Sequence, residues 1–146
     1  MNVVLDANIY DTLRENPEYY GSIRTLIEAG LLNVIVTRTV VEELFRSPFA
    51  GIPAFFPTSY EPNTVSRAGI MKAGDRLGRG DVYCSHVGNS KKVNDALIAD
   101  AAAVYADYLV SEDHRLRKRM QSIASRCKAL SFSEFLKVLE TMAGNK

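Results

Sequence analysis

Short apolar runs alternate along this chain with stretches whose apolar residues recur every three or four positions. Val3–Leu5, Val34–Val36, Tyr108–Val110 and Lys128–Leu130 are too short for helices, and their apolar, often β-branched character predicts buried strands. Between them lie helical patterns. IYDTLREN follows the first strand and stops before Pro17. Asn16 then reads as an N-cap, with Pro17 at the first helical position and Glu18 in the first turn. Tyr20, Ile23, Leu26 and Ile27 make an apolar stripe that ends at Gly30. Thr39 and Glu42 have the spacing of a capping box, predicting a helix over VVEELFRS before Pro48 and leaving Glu43 to point elsewhere.

From Pro48 to Pro62 the pattern gives way to Pro, Gly, Phe and Ser. This predicts an irregular arm whose Phe49, Phe55 and Phe56 must pack on a neighbouring subunit or on the chain's own core. A helix is expected from about Thr64 to Leu77, then a glycine-rich loop, GRGDVYCSHVGNSKK. The small-residue helix that follows opens on Asp95, with Ile98, Ala99 and Ala102 on its inner side. Asp100 lies about 140° around from Asp95 on a 3.6-residue period, so Asp100 is expected in solvent, as is Asp107. Asp113 follows the strand ending at Val110, HRLRKRMQSIA reads as a basic helix, and Ser131 with Glu134 forms a second capping box ahead of Phe135, Leu136 and Leu139. Strands alternating with helices predict one domain over residues 1–146. Its expected fold is a three-layer α/β/α sandwich with a central, mostly parallel sheet of four to five strands.

Composition changes little: 47% hydrophobic and 24% charged residues describe an ordinary globular chain. A net charge of +1 means that any polyanion must be held by local cations or a metal. Cys84 and Cys127 have no metal-type spacing, Asp6 interrupts the first apolar run, and no stretch reaches the ~20 apolar residues of a membrane span, so a cytoplasmic protein is expected. His86 and His114 read as surface residues, and Tyr19, Tyr20 and Tyr105 as core or interface. The cations Arg115, Arg117, Lys118 and Arg119 read as a solvated face that could alternatively track a phosphate backbone, and Arg67, Lys72, Arg76 and Arg79 read the same way.

The candidate chemistry is acidic. Asp6 and Asp113 lie just past strand ends and Glu43 and Asp95 near helix starts, so all four reach one crevice if the first strand neighbours the one ending at Val110. Four carboxylates call for a hard cation, Mg²⁺ or Mn²⁺, which would activate water against a phosphodiester.

VVLDANIY, TRTVVEEL and VNDALIADAAAVYADYLVSED resemble, in order, the motifs of the PIN-domain ribonucleases, among them the VapC-type toxins. The resemblance implies a metal-dependent endoribonuclease in which Asp6, Glu43, Asp95 and Asp113 coordinate Mg²⁺ or Mn²⁺, while Asn8 and Ser111 orient the acids or contact phosphate. It further implies an RNA substrate and, for the toxin subset, an antitoxin partner and a homodimer. Two other readings stay open: a binding or scaffold module whose metal site is unused, and a haloacid-dehalogenase-type phosphatase. Against the phosphatase, Asn8 stands where a second Asp would be needed.

Overall fold

The computed structural model of the chain describes residues 1–47, 56, 58–65, 72–78, 80–82, 93–123 and 125–144. Five strands form a wholly parallel central sheet: β1 (Asn2–Leu5), β2 (Asn33–Thr37), β3 (Thr58–Glu61), β6 (Tyr108–Val110) and β7 (Lys128–Leu130), in the order β3-β2-β1-β6-β7. Among the described residues six helices flank it: α1 (Ala7–Glu15), α2 (Glu18–Glu28), α3 (Arg38–Arg46), α4 (Val93–Tyr105), α5 (His114–Ser122) and α6 (Phe132–Gly144). Parallel neighbours need crossover connections, and these are right-handed. A chain that steps one way from β1 to β3 and returns to the other side for β6 and β7 therefore covers both faces of its sheet. The expected three-layer sandwich is the result, and none of the described helices is long and apolar enough to cross a membrane.

β1 is central. Val3, Val4 and Leu5 are fully buried, with β2 paired on one side and β6 on the other. α4 lies against β1, β2 and β6, and its residues Ala96 to Ala102 are all buried, since their small side chains let the helix sit close to the sheet. That burial corrects the expectation for Asp100. Asp100 lies in the buried middle of the helix, between the exposed Asn94 and Val104, and its carboxylate accepts the Val82 N–H at 3.0 Å. Asp107 is exposed and accepts the Asn2 N–H at 2.7 Å.

Other local expectations are also revised. Residues 64 and 77 are not the ends of one helix: Thr64–Val65 (β4) and Arg76–Leu77 (β5) pair as a separate two-stranded parallel sheet. Gly74, at φ +89°, turns the chain into β5, and the following Asp75 forms an ion pair with Arg38 at 2.9 Å. The Thr39–Glu42 capping box does not form, because α3 begins at Arg38. Thr39 instead accepts from the Asn63 amide at 2.7 Å, and Glu42 pairs with Lys72 at 2.8 Å. Asn16 ends α1 rather than capping α2, its side chain donating to the Thr12 carbonyl. The Ser131–Glu134 box does form, with Ser131 N–H to Glu134 Oε2 at 2.8 Å.

Of the aromatic arm, Phe56 is buried against this chain's own core, edge-on to Tyr10 and Tyr20, while Phe49 and Phe55 lie outside the described residues, as do Arg67, Arg79, Cys84 and His86. Tyr19 meets Phe132 edge-on, and Tyr105 packs on the core with Arg76 over its ring.

The Tyr10 side chain is fully buried, and its hydroxyl has no hydrogen-bond partner among the described residues. Tyr10→Phe keeps the ring against Phe56 and removes a stranded polar group. It should therefore leave the fold as stable or up to about 1 kcal/mol more stable in denaturant unfolding.

Candidate acidic site at the carboxyl edge of the sheet

At the carboxyl ends of β1 and β6 the two strands are tied by the Asp6 N–H, which donates to the Val110 carbonyl at 2.9 Å. Strand order reverses about β1, which is where open parallel sheets leave a crevice. Asp6 lies at this reversal point, only 5% exposed. Its Oδ1 accepts the Ala7 N–H at 2.8 Å, making it the N-cap of α1. Its Oδ2 accepts the Ser111 hydroxyl at 2.6 Å and the Asn8 amide at 3.1 Å. The Ser111 oxygen in turn accepts the Asp113 N–H at 3.0 Å, and Asp113 caps α5 by taking the Arg115 and Leu116 N–H groups on Oδ1. The pattern follows from the sequence: an extended residue with a short oxygen-bearing side chain satisfies the open N–H groups of the helix it precedes.

Asp95 occupies the first turn of α4, and the neighbouring Asn94 amide donates to Glu43 Oε1 of α3 at 3.1 Å. The electrostatics connect the four acids. Burial pushes the Asp6 carboxyl above its ordinary value; the hydrogen bonds from Ser111 and Ala7 oppose the shift, and repulsion from Asp95 and Asp113 adds to it. Burial also raises Glu43; the Asn94 bond opposes this, and the charges of Asp6 and Asp95 add to it. Asp6 is thus the centre of the cluster, close enough to feel Asp95, Asp113 and Glu43.

The donor set is all hard oxygen, which suits Mg²⁺ or Mn²⁺. Asn8 Oδ1 and Thr37 Oγ1 are buried oxygens without a hydrogen-bond partner among the described residues, the first two residues from Asp6 and the second at the end of β2 beside β1. Among the described residues, no three His, Cys, Asp or Glu side chains are gathered tightly enough to hold one ion between them. An ion bound there would have to keep most of its waters and take one or two carboxylates, a coordination Mg²⁺ accepts.

Sequence reading missed Asn94, which holds Glu43, and Arg117, whose guanidinium donates to the Ser111 carbonyl at 2.6 Å. Asn94 stands next to a candidate acid at a helix start, a signal that was present. The Arg117 contact bridges a turn of chain and has no sequence signature. His114 is exposed.

The fold and site together define an α/β sandwich with a group of acids at the reversal point of a parallel sheet. No family model matches the chain, and neither the curated proteins nor the solved structures compared with it include a match.

Ser111→Ala removes a fully buried hydrogen bond to a carboxylate and should cost roughly 1.5–3 kcal/mol. It should also move the Asp6 titration, followed by carboxyl ¹³C NMR, further up. A second outcome concerns pH. Because Asp6 and Glu43 have folded pKa values above their ordinary 3.8 and 4.5, the fold favours their protonated forms, and their stabilising contribution is lost as pH rises from those values through the folded ones. Glu43→Gln, which can keep the Asn94 bond, should therefore melt higher than the wild type at pH 7 without divalent ions, with the gap closing below about pH 4.

Proposed function

We propose that this protein is a metal-dependent endoribonuclease, as its resemblance to the PIN-domain ribonucleases implies. The observation that carries the reading is the convergence of acids on Asp6 at the reversal point of a parallel sheet: Asp95 and Asp113 repel the Asp6 charge, and Asp6 and Asp95 repel that of Glu43. The repulsion that helps hold the Asp6 and Glu43 carboxyls above their ordinary range is what a cation would relieve. Asp6, with Asp95, Asp113 and Glu43 around it, would hold Mg²⁺ or Mn²⁺. The bound ion would supply Lewis-acid polarisation of a phosphodiester and lower the pKa of water.

The chain's own residues do the rest. Ser111 and Asn8 fix the Asp6 carboxylate from one side, so that it does not swing with its helix. Glu43, held by the Asn94 amide and with its proton affinity raised, would take the proton of an attacking water. Exposed Phe45 and Leu77 are apolar surface that an antitoxin segment or a second copy would cover in a toxin of this type.

One observation favours a second reading, a module that binds without cleaving: no three metal-ligating side chains are gathered tightly among the described residues.

The two readings separate on a labelled RNA incubated with the protein in Mg²⁺, in Mn²⁺ and in EDTA. Cleavage is expected only with metal, and Asp6→Asn or Asp95→Asn should each reduce it by about 100-fold or more. RNA that stays intact with the wild-type protein in both metals, or equal cleavage by both variants, would remove the nuclease reading.

A further inference from the structure

We infer that the face of α5 formed by His114, Arg117, Lys118 and Gln121 is the path along which a single-stranded RNA backbone leaves the acidic crevice. The inference rests on the nuclease reading and names the surface that serves it. α5 is capped by Asp113, one of the four acids, so the helix starts at the crevice and leads away from it. Its residues divide into three faces. Leu116 and Met120 are buried against the sheet, Arg115 and Arg119 lie to one side, and His114, Arg117, Lys118 and Gln121, at positions i, i+3, i+4 and i+7, line a depression of about 350 Å³. At 1.5 Å per residue that stripe extends about 10 Å from the site.

Arg117 is the fixed end of the stripe. One guanidinium nitrogen is used on the Ser111 carbonyl, in the residue whose hydroxyl holds Asp6, and the planar group carries further N–H donors. Neither Arg117 nor Lys118 lies within ion-pair distance of an acid among the described residues, although the Arg117 charge reaches Glu134 and an acidic cluster begins within a turn of both. The cations of the stripe are therefore left without a direct ion pair. A ligand that satisfies both halves is a chain of phosphates whose scissile group reaches a divalent ion in the crevice while its neighbours lie on the basic stripe. An acidic peptide would satisfy the stripe alone.

The test is equilibrium binding of a fluorescein-labelled single-stranded oligoribonucleotide to the whole protein in EDTA, where metal-dependent cleavage cannot occur, over 50–200 mM NaCl. Lys118→Ala should weaken binding several-fold and flatten the slope of log K against log salt by about 0.7, the value for one phosphate contact on a single strand. Arg24→Gln on α2, which removes the same charge elsewhere, should leave the slope as it is. Equal slopes for Lys118→Ala and the wild type would overturn the proposal without touching metal-dependent cleavage. So would a poly-glutamate peptide that displaces the RNA and depends as strongly on Lys118. Wild-type protein that binds RNA through Lys118 but never cleaves it with metal would sink the nuclease reading and leave the path standing.

Discussion

The Asp6 carboxylate is buried between two strand ends, and the architecture around it answers the cost of putting it there. A buried carboxylate without donors or a counter-charge is among the least tolerable groups in a fold. Three donors from three different residues reach it, and one of them, Ser111, comes from the end of the neighbouring strand, 105 positions along the chain. That bond is possible only because β1 and β6 are adjacent and parallel, so that both strands end at the same edge. The donors do not balance the account in full: burial and the neighbouring acids leave the carboxyl above its ordinary value.

The same edge explains why so many acids are tolerated together. In a parallel α/β sheet each helix begins just past the end of a strand, or of the segment that stands in for one, so helix N-termini collect where the strands finish. α1 and α5 are capped by Asp6 and Asp113, and α4 carries Asp95 in its first turn. Each N-terminus contributes open N–H groups and a positive dipole end, worth about 0.3–1 kcal/mol to a nearby carboxylate. The cluster is thus partly supported by backbone alone, and a divalent ion would have to supply only the remainder.

α4 converts composition into geometry. Its run of alanines and other compact residues lets the helix lie against three strands, which brings Asn94 and Asp95 within reach of Glu43 on α3. Larger side chains at Ala99 or Ala102 would push the helix outward and separate Glu43 from the other acids. On α5 charge is kept on the surface, and Arg117 ties the helix back to the Ser111 carbonyl beside the acids.

Much of this was legible in the residues. The four strands read from short apolar runs are strands, α4 and α6 are where small-residue and capping patterns put them, and a sandwich with a parallel sheet follows from their alternation, because burial of an apolar run and capping of a helix are local matters. The positions of Asp6, Asp95 and Asp113 at element ends were visible for the same reason. What tertiary structure decided were the partnerships between distant segments. Thr39 does not open a capping box because α3 begins one residue earlier and the Asn63 amide donates to the Thr39 hydroxyl, Thr64–Val65 and Arg76–Leu77 pair as strands through bonds such as Arg76 N–H to the Asn63 carbonyl, and Asp100 is buried because the chain at Val82 packs on it, whatever its helical phase. Sequence determined which side chains could carry charge to the edge of the sheet. Only the packing of β1 between β2 and β6 decided that those charges would feel one another, since repulsion depends on distance in space and not on separation along the chain.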